Sequence, residues 1–487
     1  MVEQEHNSRL GISKSLNIQG WGHLDPVLLA ALATESPLLL VGPHGTAKSL
    51  LVERIATALG LSLRHYNASL LNYDDLVGIP LPEADGESLR FVATPSSIWD
   101  AQFVFFDEIS RCRPDLQNKL YPIIHERRVA GIRLEKLRHR WAAMNPPAPD
   151  DPDTNTHPGE FYLGSEPLDP ALADRFPFVV MVPNWRSLTK EDRRRLISYN
   201  DDFTPPEPDA PHLIADAETL NALVEQCAQR IPSLEEKLDD WLGDYIVHVI
   251  DLLEKAQLPQ SPRRARMLAR SVAAVHAARM VLEDEEVDLE FSAELALTFG
   301  LPQNAFEVPP SQATVVAAHK QAWEIANLVE GDTWRQVLEE FDPVRRVLLA
   351  DQLNFSDSDM SRLITQALSV EPSDARRVGL ATVMYLAFHQ RRNLEPSAWE
   401  PLAQFASRVL EPRTITTGVR PGADMNIWQE IQDWLETRPE QDGLLAWLER
   451  NYVLSGYPEL WRRHKWPEAV ERFRADLMLF NVVETLA

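Results

Sequence analysis

Cysteine, basic residues and long apolar runs are all scarce in this chain of 487 residues. The only two cysteines, Cys112 and Cys227, show no metal-type spacing and exclude a disulfide framework. The formal net charge of −25 argues against a surface built mainly to bind nucleic acid or anionic lipid. No apolar run could span a bilayer, and residues 1–19 lack the apolar core of a signal peptide. We therefore expect a cytoplasmic protein with no membrane partner.

The first part of the chain alternates short apolar runs with helical patterns, which is typical of an α/β layer structure. Helical spacing of apolar residues occurs at 49–59 and 116–126. The candidate strands are Leu38 to Val41, Phe103 to Phe106, Trp141 to Met144 and Phe178 to Val182.

Two proline-rich segments indicate domain boundaries. The acidic, proline-rich run from Asp201 to Pro211 cannot continue a helix, and Pro309 and Pro310 mark a second break. Beyond residue 201 the pattern is almost entirely helical. We therefore predict an α/β core over 1–200, a helical lid over 201–310 and a helical C-terminal domain of unknown role over 311–487.

A phosphate-binding loop is predicted directly after the first candidate strand. Strand, glycine-bearing turn and helix start together direct backbone N–H groups at one point, which suits a polyphosphate. Lys48 would reach the outer phosphates and the Ser49 hydroxyl would hold Mg²⁺, while Ala47 stands where glycine is usual. The residues of this predicted ATP site are Gly42, Pro43, His44, Gly45, Thr46, Ala47, Lys48, Ser49 and Leu50.

Two carboxylates follow the apolar strand at 103–106. Asp107 would hold hydrated magnesium together with Ser49, and Glu108 would polarise the attacking water. The alternative is a core strand that ends in a solvated acidic turn. Asn145 ends the next strand and could orient the same water, although Asn-Pro is also a common turn opener.

Two further positions are candidates for charge stabilisation. Arg175 precedes the strand at 178–182 and could reach the nucleotide of a neighbouring subunit, or could pair with Asp174 or Asp169 on the surface. Arg263 or Arg264, at the start of a helix in the lid, could contact the phosphates; we select Arg263.

The order of these motifs resembles that of AAA+ ATPases, and within them the MoxR group. The resemblance covers roughly residues 25–301. It depends on the segments Gly42 to Ser49, Asp107 to Arg111, Gln117 to Leu120, Glu126 to Val129, Met144 to Pro146 and Ala173 to Phe176.

This resemblance implies a P-loop α/β core with a parallel sheet, followed by an all-α lid and an all-α C-terminal domain. It also implies a ring, usually a hexamer, with ATP between subunits and two β-hairpin insertions, matching 74–91 and 128–138. The implied activity is ATP hydrolysis coupled to remodelling, activation or metal or cofactor insertion of a protein partner, such as one with a von Willebrand factor A domain. A nucleotide-gated scaffold with little turnover and a nucleic-acid-dependent motor are the alternatives.

Overall fold

The computed structural model describes residues 11–82, 89–147, 167–198, 217–283, 286–306, 309–371, 373–411, 423–437, 443–455 and 466–482. The chain divides into two compact units, Met1–Asn327 and Leu328–Ala487. Among the described residues, no helix combines the length and the apolar character needed to cross a membrane.

The first unit is built on a parallel sheet with two separate hairpins. Its strands are β1 Leu38–Val41, β2 Leu63–Asn67, β3 Ile79–Pro82, β4 Leu89–Val92, β5 Phe103–Asp107, β6 Arg128–Val129, β7 Ile132–Arg133, β8 His139–Met144 and β9 Phe178–Met181.

The main sheet has five parallel strands in the order β2-β5-β8-β1-β9. Leu38 of β1 pairs with Trp141 on one side and with Phe178 on the other. Strand β1 is buried along its whole length, as expected for a central strand covered on both faces. The predicted α/β core with a parallel sheet is therefore confirmed.

The sequence patterns located four of these five strands and missed β2. The sequence of β2, LRHYN, carries three polar residues and is buried fully only at Tyr66. As an edge strand it pairs only with β5, so its exposed positions need not be apolar, and the pattern lacks the continuous apolar run of the others.

Both hairpins that the resemblance implied are present. Strands β3 and β4 are antiparallel, with Ile79 opposite Val92, and β6 and β7 are antiparallel, with Val129 opposite Ile132. Ile79, Leu81, Val92 and Ile132 are exposed apolar residues on these hairpins.

Helices flank the sheet and continue beyond it. Those of the first unit are α1 Ile12–Ser15, α2 Asp25–Ala33, α3 Lys48–Ala58, α4 Tyr73–Val77, α5 Pro114–Tyr121, α6 Pro170–Ala173, α7 Lys190–Ile197, α8 Ala217–Lys255, α9 Pro262–Glu283, α10 Leu289–Thr298, α11 Gln303–Phe306 and α12 Gln312–Ala326. Helices α8 and α10 both pack on α9, and α2 packs on α8 and α9.

The division between the two units lies further along the chain than the predicted boundary at residue 310. Helix α12 packs against α8 and α10 and so belongs to the first unit. Two contacts join α12 to α8. The hydroxyl of Tyr245 in α8 lies 2.8 Å from Nδ1 of His319 in α12, and Trp323 of α12 packs edge-on against Trp241 of α8. The proline pair at 309 and 310 marks a turn within the unit.

The second unit is helical throughout its described residues. Its helices are α13 Thr333–Glu339, α14 Pro343–Gln352, α15 Asp357–Val370, α16 Asp374–Phe388, α17 Pro396–Leu410, α18 Ala423–Glu436, α19 Leu444–Leu454 and α20 Trp466–Leu479. Trp428, Trp434, Trp447 and Trp466 all pack into its apolar core, as aromatic residues at helical spacing usually do.

A buried acid supports the N-terminal segment of the first unit. Asp25 is fully buried, and one of its carboxylate oxygens accepts a hydrogen bond of 3.0 Å from the backbone N–H of Ser13 in α1. Burial raises the pKa of Asp25 to about 7. Since the folded-state pKa lies above the unfolded value, Asp25 stabilises the fold fully below about pH 4, and this contribution is lost as the pH rises towards 7.

We therefore predict that Asp25→Asn gains stability relative to the wild type as the pH rises from 5 to 8. With a pKa of about 7 in the folded state against 3.8 in the unfolded chain, the change between pH 5 and pH 8 is on the order of 3 kcal/mol. Thermal unfolding followed by circular dichroism at several pH values measures the difference, with exposed Asp115→Asn as the control. Wild-type and Asp25→Asn midpoints that run parallel over this range would contradict the assignment.

Candidate active site

The phosphate-binding loop leaves β1 at the carboxyl edge of the sheet and enters α3. Gly42 has no room for a side chain, because a Cβ there would lie 2.1 Å from Cγ2 of Val182. Gly45 and Ala47 both have left-handed backbone conformations, with φ of 74° and 66°. Ala47 is thus in a conformation that favours glycine, which explains why the phosphate-loop pattern usually has glycine at this position.

The Lys48 side chain lies inside the phosphate-binding loop. Its Nζ donates hydrogen bonds of 2.7 Å to the carbonyl oxygens of Gly42 and Pro43. Burial lowers the pKa of Lys48 to about 8, against the opposing effect of Asp107 and Glu108. At neutral pH the ammonium therefore remains mostly charged and can exchange these carbonyl oxygens for phosphate oxygens.

Asp107, at the end of β5, connects to the first turn of α3. The Ser49 hydroxyl donates a 2.7 Å hydrogen bond to one oxygen of Asp107, and the Glu108 backbone N–H donates a 2.9 Å hydrogen bond to the other. Burial by itself would raise the pKa of Asp107, but hydrogen bonds from His65 and Ser49 outweigh it and hold this pKa below its usual value. Asp107 is therefore ionised at neutral pH.

The residues present fit a magnesium ion shared with a nucleotide. Ser49 and Asp107 offer two adjacent oxygens, the ligand type that Mg²⁺ prefers, and would hold the ion beside the phosphates of the nucleotide. Within the described part of the chain, no group of three or more His, Cys, Asp or Glu side chains could hold a metal ion. A magnesium site here therefore depends on the phosphates of a bound nucleotide.

Glu108 begins a sharp turn after β5. Its φ is 55°, and Arg111 lies 3.4 Å from its Oε1. The left-handed conformation directs the chain away from the strand and is costly for a residue with a Cβ. A strained residue beside the phosphate loop is consistent with a role in chemistry.

His65 is a neighbour of the site that the sequence analysis missed. It lies in β2, with Nε2 3.5 Å from Oδ2 of Asp107 and Nδ1 3.3 Å from Oε1 of Glu53 in α3. The contact with Asp107 raises the pKa of His65 above its ordinary value. The alternation within β2 was too weak to predict the strand, so no pattern placed His65 beside the carboxylates.

One cavity of about 320 Å³ gathers most of the predicted site residues. The residues around it are His44, Gly45, Thr46, Ala47, Lys48, Ser49, Leu50, Asn67, Asp107, Glu108, Met144 and Asn145. Asn145 follows β8, the strand between β1 and β5. Gly42 and Pro43 contribute through their carbonyl contacts with Lys48.

A second cavity, of about 530 Å³, shares the loop residues His44, Gly45, Thr46 and Ala47 with the first. Its walls come from residues 17–21, from the loop residues 43–47 and from 183–188, and apolar groups such as Ile18, Trp21 and Leu188 contribute to them. Gly20, with φ of 78°, packs so closely that a Cβ would lie 2.1 Å from Leu188. An apolar cavity next to a phosphate site suits a nucleoside, and the sequence analysis did not find it.

Arg175 and Arg263 lie away from these cavities, at the opposite edge of the sheet. Arg175 precedes β9 and lies over the ring of Tyr121 at 4.4 Å. Arg263 lies 3.3 Å from Asp174. Since β1 and β9 are parallel and β9 begins after Arg175, the length of the strand separates Arg175 from the phosphate loop that follows β1.

The alternative lid residue, Arg264, has a packing role. It is completely buried and donates hydrogen bonds to the carbonyl oxygens of Phe176, at 2.8 Å, and Gly300, at 2.9 Å. These bonds connect α9 to the segment before β9 and to the segment after α10. Of the two arginines, only Arg263 is exposed enough to meet a ligand.

We predict that two substitutions of Ala47 differ in their effect on nucleotide binding. Glycine removes the left-handed strain, so Ala47→Gly should change stability by less than about 1 kcal/mol and retain nucleotide binding. Valine is β-branched and poorly tolerates positive φ, so Ala47→Val should weaken nucleotide binding at least tenfold. Equilibrium titration with a fluorescent ATP analogue measures both. Equal affinity of the two variants would contradict the loop conformation.

Comparisons with known proteins agree with the geometry of the core. Residues 37–149 match the family model of the AAA domain, dynein-related subfamily. A candidate ATPase from Cytophaga hutchinsonii is a similar solved structure, at 19% identity and a TM-score of 0.42, over 67% of this chain and 91% of that one. That likeness is too low to bear on function. No curated protein matches the chain. Residues 37–149 are thus similar in sequence to an AAA domain.

Proposed function

We propose that the chain is an AAA+ ATPase of the MoxR type, which couples ATP hydrolysis in a ring to the remodelling of a protein partner. One observation carries the proposal: Lys48, Ser49, Asp107, Glu108 and Asn145 meet around one cavity at the carboxyl edge of a parallel sheet. This edge is where open α/β sheets bind nucleotides. The AAA domain match over 37–149 supports the nucleotide assignment.

Each side chain has a part in the proposed reaction. Lys48 and the loop N–H groups bind the phosphates of ATP, and Ser49 and Asp107 hold magnesium, which neutralises charge on the β- and γ-phosphates when bound. Glu108 accepts a proton from the attacking water, and the Asn145 amide orients that water. The apolar cavity beside Trp21 and Leu188 receives the nucleoside.

Arg175 and Arg263 act on a neighbouring subunit in this proposal. They lie near each other on the opposite edge of the sheet, since Arg263 is paired with Asp174, the residue before Arg175. Head-to-tail packing of subunits would bring this edge against the next nucleotide site and close a ring, with a hexamer as the expected size. A guanidinium there would stabilise the charge that develops on the γ-phosphate.

The partner of the ring is proposed to be a protein, with a von Willebrand factor A domain protein as the first candidate. The exposed apolar residues of the hairpins, Ile79, Leu81, Val92 and Ile132, offer contacts for a polypeptide. The net charge of −25 does not favour a nucleic-acid client.

Substitution of Glu108 tests hydrolysis directly. We expect Glu108→Gln to bind ATP with wild-type affinity and to lose at least about 100-fold in turnover, because the amide cannot accept the proton from water. Glu135→Gln, at an exposed position, is the matched control. Steady-state phosphate release and equilibrium ATP binding are the two measurements.

The outcome distinguishes the enzyme from a scaffold. Wild-type turnover no higher than that of Glu108→Gln, with or without the partner, would contradict hydrolysis and favour nucleotide-gated assembly. If hydrolysis occurs, Glu108→Gln should retain its client in the presence of ATP and release it in ADP.

A further inference from the structure

A third cavity, of about 260 Å³, lies at the edge of the sheet opposite the phosphate loop. Its lining comes largely from the segment before β1, from the starts of β8 and β9 and from helix α9. Four arginines line it: Arg127, Arg140, Arg175 and Arg270. Such a concentration of positive charge is unexpected in a chain with a net charge of −25.

The nearby acids do not balance these arginines. Glu35 also lines the cavity, and its carboxylate lies 2.8 Å from Arg127 and 2.8 Å from Arg138. Glu235 is 3.8 Å from Arg270. His125 adds no further positive charge at neutral pH, since burial and the nearby Arg263 and Arg175 lower its pKa.

Arg140 is the centre of this unbalanced charge. It is 4% exposed, and its Nε and Nη1 donate hydrogen bonds only to the carbonyl oxygens of Ile124, Glu35 and Arg138. Within the described ranges, it makes no ion pair with a carboxylate, and its Nη2 makes no hydrogen bond. Burial lowers the pKa of Arg140 to about 9. A buried cation without a counter-ion is costly, and an anion in the cavity would remove that cost.

The size and lining of the cavity indicate the class of anion. Its volume lies below the range typical for sites of drug-sized ligands. Three hydroxyl-bearing residues, Thr34, Ser36 and Ser271, also line it, and the Thr34 hydroxyl contacts that of Ser36 at 2.7 Å. Guanidinium and hydroxyl donors together suit a doubly charged tetrahedral oxyanion.

We infer that this cavity is a second phosphate-binding site, which accepts inorganic phosphate independently of the phosphate loop. The phosphate can come from solution or from ATP turnover. A phosphate bound here lies beside Arg175. If the proposed function holds, phosphate therefore competes with the action of Arg175 on the neighbouring subunit, and millimolar phosphate slows hydrolysis at constant ionic strength.

The binding test separates the two sites with Lys48→Ala, which disables the loop. Isothermal titration of this variant with phosphate, against sodium chloride at equal ionic strength, should show binding. Adding Arg127→Gln and Arg270→Gln to Lys48→Ala should weaken phosphate binding by about tenfold or more. Arg266 is an exposed arginine of α9, the helix that carries Arg270, and it does not line the cavity. The control Arg266→Gln should therefore leave phosphate binding unchanged. Circular dichroism confirms that each variant is folded.

Two results would overturn the inference: no phosphate binding by Lys48→Ala, or equal loss from Arg266→Gln and from the cavity variants. Titration of Lys48→Ala with ADP distinguishes free phosphate from a nucleotide phosphate as the ligand. If ADP binds this variant at the cavity, the terminal phosphate of the nucleotide is the ligand. Because these measurements use binding alone, they stand whether or not the chain hydrolyses ATP.

Discussion

The hydrogen bond from Ser49 to Asp107 connects the two halves of the candidate site. The phosphate loop follows β1 and the carboxylates follow β5, and β8 lies between these strands. A single 2.7 Å contact nevertheless joins the first turn of α3 to the end of β5. This is possible because all these strands are parallel and end at one edge. His65 and Glu53 add a second connection between the same two elements.

The opposite edge of the sheet has a different character. The loop edge offers backbone N–H groups, one lysine and carboxylates, whereas the other edge gathers arginines around a cavity. An arginine before a short parallel strand cannot reach the loop of its own subunit. Because of this separation, we propose that the phosphate loop of one subunit and Arg175 of the next form one catalytic site. The proposed second phosphate site has the same origin.

The sequence alone predicted the residues whose role depends on spacing along the chain. Three apolar strands, each buried on both faces, are recognisable in the sequence as continuous apolar runs. Directly after them come the loop from Gly42 to Leu50, the pair Asp107 and Glu108, and Asn145. His65 was missed because its edge strand is polar. Arg264 could not be distinguished from Arg263 by sequence, since only the packing of α9 on the start of β9 buries one and exposes the other. The charged cavity around Arg140 combines residues from distant segments, so no local pattern predicts it.

The central claim is that each catalytic site is shared between two subunits, and a mixing experiment tests it most directly. Glu108→Gln and Arg175→Ala are each expected to be inactive alone. In a mixed ring, an Arg175→Ala subunit supplies an intact Glu108 and a neighbouring Glu108→Gln subunit supplies an intact Arg175. Random assembly would restore about one quarter of the sites, so ATPase activity should reappear on mixing. Absence of recovery, with mixed rings confirmed by native mass spectrometry, would contradict the shared site.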